Sequence, residues 1–200
     1  AATHLTGFPL FDGAVLAALP PGLEEFLAAG PPPVVFTPGT GVKRAGQFLA
    51  ESAATCRRLG CRGLLLTRLA GQVPAELPPG VRHFAYAPFS RVLPRAAALV
   101  HHGGVGTLAQ ALAAGVPQLV VPRRHDQHDN AARLVELGVA ATLRARAYRA
   151  AAVAESLTWL LTEPEVAARC RDAAGRPFGG VDEACRLLER LAPQSVAPAA

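Results

Sequence analysis

Short apolar runs alternate with stretches of helical periodicity through most of the chain. The run at 34–37, VVFT, is closed by Pro38 and Gly39 and followed by an amphipathic stretch over 44–59, which reads as strand, glycine turn and helix. The same alternation predicts strands at 62–67, 81–86, 98–100, 118–121 and 139–142. Helices are predicted at 107–114, stopped by Gly115 and Pro117, at 130–137, closed by Gly138, and at 149–161, 165–174 and 182–191. Strands this uniformly apolar need cover on both faces, so the expected fold is α/β: a Rossmann-like, doubly wound parallel sheet with helices on both sides. Ligands of such sheets bind beyond the carboxyl ends of the strands. The loops starting at Pro38, Tyr86, His101 and Pro122 are therefore expected to line one crevice.

Residues 1–33 are rich in Pro and Gly, with one short helical piece at 22–29, and read as a linker leading into a domain at 34–191; residues 192–200 read as a disordered tail. Half of the 200 residues are apolar, enough for a full core. The net charge of +5 is carried almost wholly by arginine, since Lys43 is the only lysine. Those arginines are dispersed, and no basic run interleaves with aromatics, which argues against a nucleic-acid partner. Abundant Ala, Arg, Gly and Pro, no Ile and a single asparagine, Asn130, suggest a GC-rich coding sequence and hence a bacterial source. Cys56, Cys61, Cys170 and Cys185 form neither a CxxC pair nor a zinc spacing, so they are expected to be reduced thiols in the cytoplasm. No apolar run reaches the roughly 18 residues of a transmembrane helix. The sequence contains no Met, and it is expected to begin inside a longer chain.

The strand at 98–100 runs into His101, His102, Gly103, Gly104, Val105, Gly106 and Thr107, where a helix is expected to start. Glycines there let the backbone approach a ligand, and the unpaired N–H groups and positive dipole end of the helix face it, which describes an anion site. Thr107 is expected to cap the helix or to offer its hydroxyl to a phosphate oxygen, and His102 to add a hydrogen bond. Two adjacent histidines are costly at a buried strand end, which favours a ligand role over plain packing. Gly104, Gly106 and Ala109 also satisfy a dinucleotide pattern, so a nicotinamide-dependent oxidoreductase is a rival reading. Against it, the motif follows several strands, and the next strand ends in Pro122, Arg123 and Arg124 instead of an acidic residue. His101, His102, His125, Asp126, His128 and Asp129 lack a recognised metal-ligand spacing, so no metal is expected.

The segment HHGGVGTLAQALAAGVPQLVVPRRHDQHDNAARLVELGVA resembles the donor-sugar signature of GT-B-type glycosyltransferases that use UDP- or dTDP-sugars, above all bacterial and sterol-type members. The resemblance continues upstream through VVFTPGT, GLLLTR and FAYAPFSRVLP, covering roughly residues 8–143. It implies diphosphate contacts at Thr40, His102, Gly104, Gly106 and Thr107, base and ribose contacts at Tyr86, Ala87, Pro88 and Gln110, and sugar contacts at Asp126 and Gln127. Two positions depart from many plant relatives: Gln110 stands for a ribose-binding Glu and Phe89 for a Gln near the base.

What the resemblance implies is half of a GT-B fold, the donor side of an enzyme that moves a sugar from UDP- or dTDP-sugar to an acceptor hydroxyl with inversion and without a cofactor. The family's general base and its site for a small-molecule or lipid acceptor lie in an N-terminal domain outside this sequence. No catalytic residue is therefore assigned here, and the chain is expected to transfer little sugar alone. A stand-alone nucleotide-sugar-binding subunit, paired with a separate acceptor-binding protein, is the second reading.

Overall fold

The computed structural model describes residues 3–13, 18–175 and 180–191. The tail at 192–200 lies outside them. Six short strands form one fully parallel sheet: β1 (Val34–Phe36), β2 (Gly63–Leu66), β3 (Val81–Phe84), β4 (Ala98–His101), β5 (Gln118–Val120) and β6 (Ala140–Thr142), in the order β3-β2-β1-β4-β5-β6. This is the doubly wound order, and it reverses between β1 and β4, where adjacent connections leave to opposite faces and open a crevice.

Strand residues alternate between the two faces. On one face Val34, Phe36, Leu65 and Val100 pack beneath α2 (Gly46–Leu59) and α6 (Ala150–Thr162), and the same core cluster continues to side chains of α4 (Val105–Ala113), α5 (Gln127–Glu136) and α7 (Pro164–Ala174). On the other face Val35, Leu64, Leu66 and Leu99 pack with α1 (Leu23–Ala28), the short helix α3 (Phe89–Val92) and Ala111 of α4. The amphipathic helix α8 (Gly180–Leu191) closes the described chain.

The stretch expected to be a linker contributes to this core. Leu23, Phe26 and Leu27 are buried, and the Arg62 guanidinium lies 4.3 Å from the centroid of the Phe26 ring. Arg95 pairs with Glu24 at 2.6 Å. The core thus begins at Leu23, ahead of Val34, because Leu23, Phe26 and Leu27 pack with Val35, Leu64 and Leu66 on the second face of the sheet.

Helix starts also differ from expectation. α4 opens at Val105 instead of Thr107, because Gly104 adopts an extended conformation and its carbonyl accepts from the Thr107 and Leu108 amides. Thr107 therefore sits inside the first turn and is not the cap. α5 opens at Gln127, three residues before the expected Asn130. Both shifts bring the helix starts closer to the carboxyl ends of β4 and β5.

On the first face, α2 and α6 are held together by Tyr148. Its ring stacks on Phe48 at 4.7 Å, its hydroxyl pairs with Ser52 Oγ at 2.8 Å, and Glu51 Oε2 accepts from the Ala150 amide at 2.7 Å. Burial raises the Tyr148 pKa far above its ordinary value, so it remains neutral.

Leu99 is fully buried on the central strand β4, whereas Leu161 is 44% exposed. Leu99→Ala is expected to cost about 3 kcal/mol in urea denaturation through lost burial and an unfilled cavity. Leu161→Ala should change stability by less than about 1 kcal/mol.

Candidate functional site

At the reversal in strand order, the turn after β1 meets the turn after β4. Thr37 N–H donates to the Val100 carbonyl at 2.9 Å, and Thr37 Oγ1 accepts from Gly39 N–H at 3.3 Å, which brings the first turn alongside the second. The His102 ring lies between them. A Cβ on Gly39 would fall 2.5 Å from His102 Cε1, and one on Gly104 would fall 2.5 Å from His102 Nε2. Gly39 also has φ +89, where L side chains are strained. Two glycines therefore clear the space that one imidazole fills.

The adjacent histidines have different environments. His101 is fully buried; its Nε2 donates to Gln118 Oε1 at 3.0 Å while its Nδ1 accepts from Gly103 N–H at 3.1 Å. Burial, with the neighbouring His102 adding to it, lowers its pKa to about 3, so it is a neutral latch of the turn and faces no ligand. Of the pair, His102 alone lines the cavity, and its buried Nδ1 has no hydrogen-bond partner among the described residues. Its pKa is lowered by burial first and by Arg123 second, against an opposing pull from Asp126.

The cavity holds about 600 Å³. Thr40, Tyr86, Ala87, His102, Gly104, Gly106, Thr107 and Gln110 all line it, so three of the four expected loops converge. Pro88 is buried just behind this lining, as the residue preceding α3. The fourth loop does not join. Asp126 and Gln127 lie outside the cavity lining, and Pro122 and Arg123 line a separate cavity with His128, Arg144 and Arg146.

Asp126 and Gln127 are nonetheless fixed relative to the glycine turn. Gln127 Oε1 accepts from the Arg123 and Arg124 amides at 3.0 and 3.2 Å. Asn130 Nδ2 donates both to the Gly103 carbonyl at 2.9 Å and to Asp126 Oδ2 at 2.8 Å. A Cβ on Gly103 would meet Val120 Cγ1 at 3.0 Å and the Gln127 carbonyl at 3.2 Å, so the start of α5 presses directly on the turn.

Sequence reasoning missed several lining residues. Thr67, Arg68 and Leu69, after β2, complete the wall, and Phe11 and Asp12 approach from the leading segment. The order β3-β2-β1-β4 brings the end of β2 beside β1, a neighbourhood that hydrophobic periodicity alone does not specify. Asn130 was legible only as the sole asparagine. Among the described residues, no group of three or more His, Cys, Asp or Glu side chains is arranged to hold a metal.

The fold and crevice define a Rossmann-like half of a GT-B glycosyltransferase. The chain belongs to the family described as erythromycin biosynthesis protein CIII-like, C-terminal domain, which matches residues 65–177. It is 40% identical over 195 residues to the O-mycaminosyltylonolide 6-deoxyallosyltransferase of Streptomyces fradiae, covering 94% of this chain and 45% of that protein. It is 36% identical over 174 residues to the vancomycin aglycone glucosyltransferase of Amycolatopsis orientalis, covering 85% of this chain and 42% of that protein. The chain thus spans less than half the length of these relatives. Among solved structures, the spinosyn forosaminyltransferase SpnP superposes with a TM-score of 0.72 at 28% identity, over 88% of this chain and 47% of that one. The glycosyltransferase VinC in complex with dTDP gives 0.67 at 28% identity, over 87% and 45%.

Two outcomes follow from this geometry. Gly39→Ala should lower stability by about 2 kcal/mol, through the strained φ and the collision with His102, with displaced His102 ring resonances in NMR spectra. For His101, the folded pKa of about 3 lies below the ordinary 6.5, so between these values the unfolded chain binds the extra proton. Stability should therefore fall as pH drops from 6.5 towards 3, and His101→Gln should flatten that part of the urea-denaturation profile.

Proposed function

We propose that this chain is the donor-binding half of a glycosyltransferase, holding a UDP- or dTDP-sugar while the sugar passes to an acceptor hydroxyl. The observation that carries the reading is the His102 ring between Gly39 and Gly104, beside the first amides of α4 at the reversal in strand order. Membership of the family and the named relatives support it.

In this reading the diphosphate lies against Gly104, Gly106 and Thr107, with Thr40 closing from the opposite turn and His102 donating one hydrogen bond. A neutral imidazole suffices for that, since it carries one N–H. The base and ribose rest near Tyr86, Ala87, Pro88 and Gln110. Asp126 and Gln127, held by Asn130 and by the amides of Arg123 and Arg124, face the sugar hydroxyls. As the bond from the anomeric carbon to the diphosphate breaks, its electron pair leaves with the nucleotide. The helix dipole, the α4 amides and His102 stabilise the growing negative charge. The acceptor oxygen takes the anomeric carbon and gives its proton to a base outside this chain.

No protein-held metal or cofactor is required, because the helix start supplies the positive potential. The acceptor, a small molecule or a lipid, is met by a second domain or subunit. Bacterial relatives, four free cysteines, and no helix among the described residues that is long and apolar enough to cross a membrane suit a bacterial cytoplasmic enzyme.

Calorimetry separates the assigned roles. His102→Ala should weaken UDP and dTDP binding by roughly tenfold, through loss of a hydrogen bond to a charged group. Asp126→Ala should leave the free nucleotides unaffected and weaken only their sugar conjugates. Both variants binding every ligand as the parent does would overturn the assignment, and tight NAD(H) binding without UDP binding would favour an oxidoreductase. Robust sugar transfer by the isolated chain would contradict the donor-half reading.

A further inference from the structure

Tyr86, expected among the base and ribose contacts, also ties the leading segment to the site through its hydroxyl. It donates to the Asp12 carbonyl, while Asp12 Oδ2 accepts from the Ser90 amide at 2.7 Å. Gly13 follows with φ +69, and a Cβ there would stand 3.3 Å from the Tyr86 hydroxyl. The leading segment is thus tied to the loop after β3. On its other side Phe8 and Leu10 pack against the first core, and Leu10 N–H donates to the Phe8 carbonyl at 3.0 Å.

Between these anchors Phe11 remains 72% exposed while lining the same cavity as Tyr86, Ala87, Phe89 and His102. A benzyl side chain held in water on both sides of a secured backbone forgoes burial that its neighbours Phe8 and Leu10 obtain. Its ring is available to a flat ligand in the cavity without disturbing the core. From the His102 end, where a diphosphate would sit, the cavity extends to the 85–89 loop and the leading segment, so a base at its far end would meet Phe11.

We propose that residues 8–13 form a strap across the nucleotide crevice and that Phe11 gives the donor's pyrimidine base its aromatic face, with Tyr86 and Asp12 acting as positioning residues that hold the strap. The proposal rests on the donor-binding reading and adds to it a contact from outside the signature segment. Stacking on an aromatic ring tolerates different bases, so one strap serves uracil and thymine alike.

The test uses the chain with UDP, dTDP and pyrophosphate. Phe11→Ala should weaken UDP and dTDP binding by roughly tenfold while leaving pyrophosphate binding and the melting temperature unchanged. Asp12→Ala, which loosens the strap without removing the ring, should produce a smaller loss in the same direction. In a Trp159→Phe background, Phe11→Trp should report UDP by a change in indole emission and stay silent to pyrophosphate. Parent-like nucleotide binding by Phe11→Ala, or an unresponsive indole, would overturn the strap. A parent that binds pyrophosphate but gains nothing from the attached nucleoside would overturn the strap alone; a parent that binds neither would overturn the donor reading and the strap with it.

Discussion

The site depends on a steric constraint: two backbone turns approach so closely that only glycine fits on either side of one imidazole. Gly39 and Gly104 each leave room for His102 that a single methyl group would occupy. That approach exists because β1 and β4 are hydrogen-bonded neighbours at the reversal of strand order, with Thr37 N–H reaching the Val100 carbonyl. Sheet topology thus determines which loops meet, and glycine determines how near they come. The cavity, the exposed start of α4 and the environment of His102 follow from these two facts.

Around this contact the polar groups hold the loops in place before any ligand arrives. His101 spends both ring nitrogens on Gln118 and Gly103, so a buried neutral histidine fixes the turn that its neighbour uses. Asn130 bonds the same turn to Asp126, coupling the expected diphosphate and sugar ends of the site through one amide. Gln127 fixes the 123–124 backbone. Such a network keeps reorganisation small when charge develops on a leaving group, which is the condition for electrostatic stabilisation to be effective.

The sheet was legible because most strands are short, largely apolar runs, β3 with Arg82 and His83 being the exception, and the helices because their periodicity is strong. Helix starts were less legible. Gly104 takes over the capping role assigned to Thr107: it is the extended residue before α4, and its carbonyl accepts from the Thr107 and Leu108 amides. The role of residues 23–28 was hidden for another reason: a short amphipathic helix between proline-rich stretches resembles a linker until its packing on the second face of the sheet is seen. The histidine pair could not be separated by sequence, because burial depends on register, and register placed His101 at the end of β4 and His102 just beyond it. Phe11 carried no local signal, since its significance comes from contacts across 74 residues between Asp12 and Tyr86.

The central claim is that His102 and the start of α4 receive the diphosphate of a nucleotide donor. A crystal structure of the chain with UDP tests it most directly. The account predicts the β-phosphate within hydrogen-bond distance of His102 and of the amides around Gly106 and Thr107, with the base directed towards Phe11 and the 85–89 loop. A nucleotide bound instead in the cavity of Arg123, Arg144 and Arg146, with the His102 crevice empty, would contradict it.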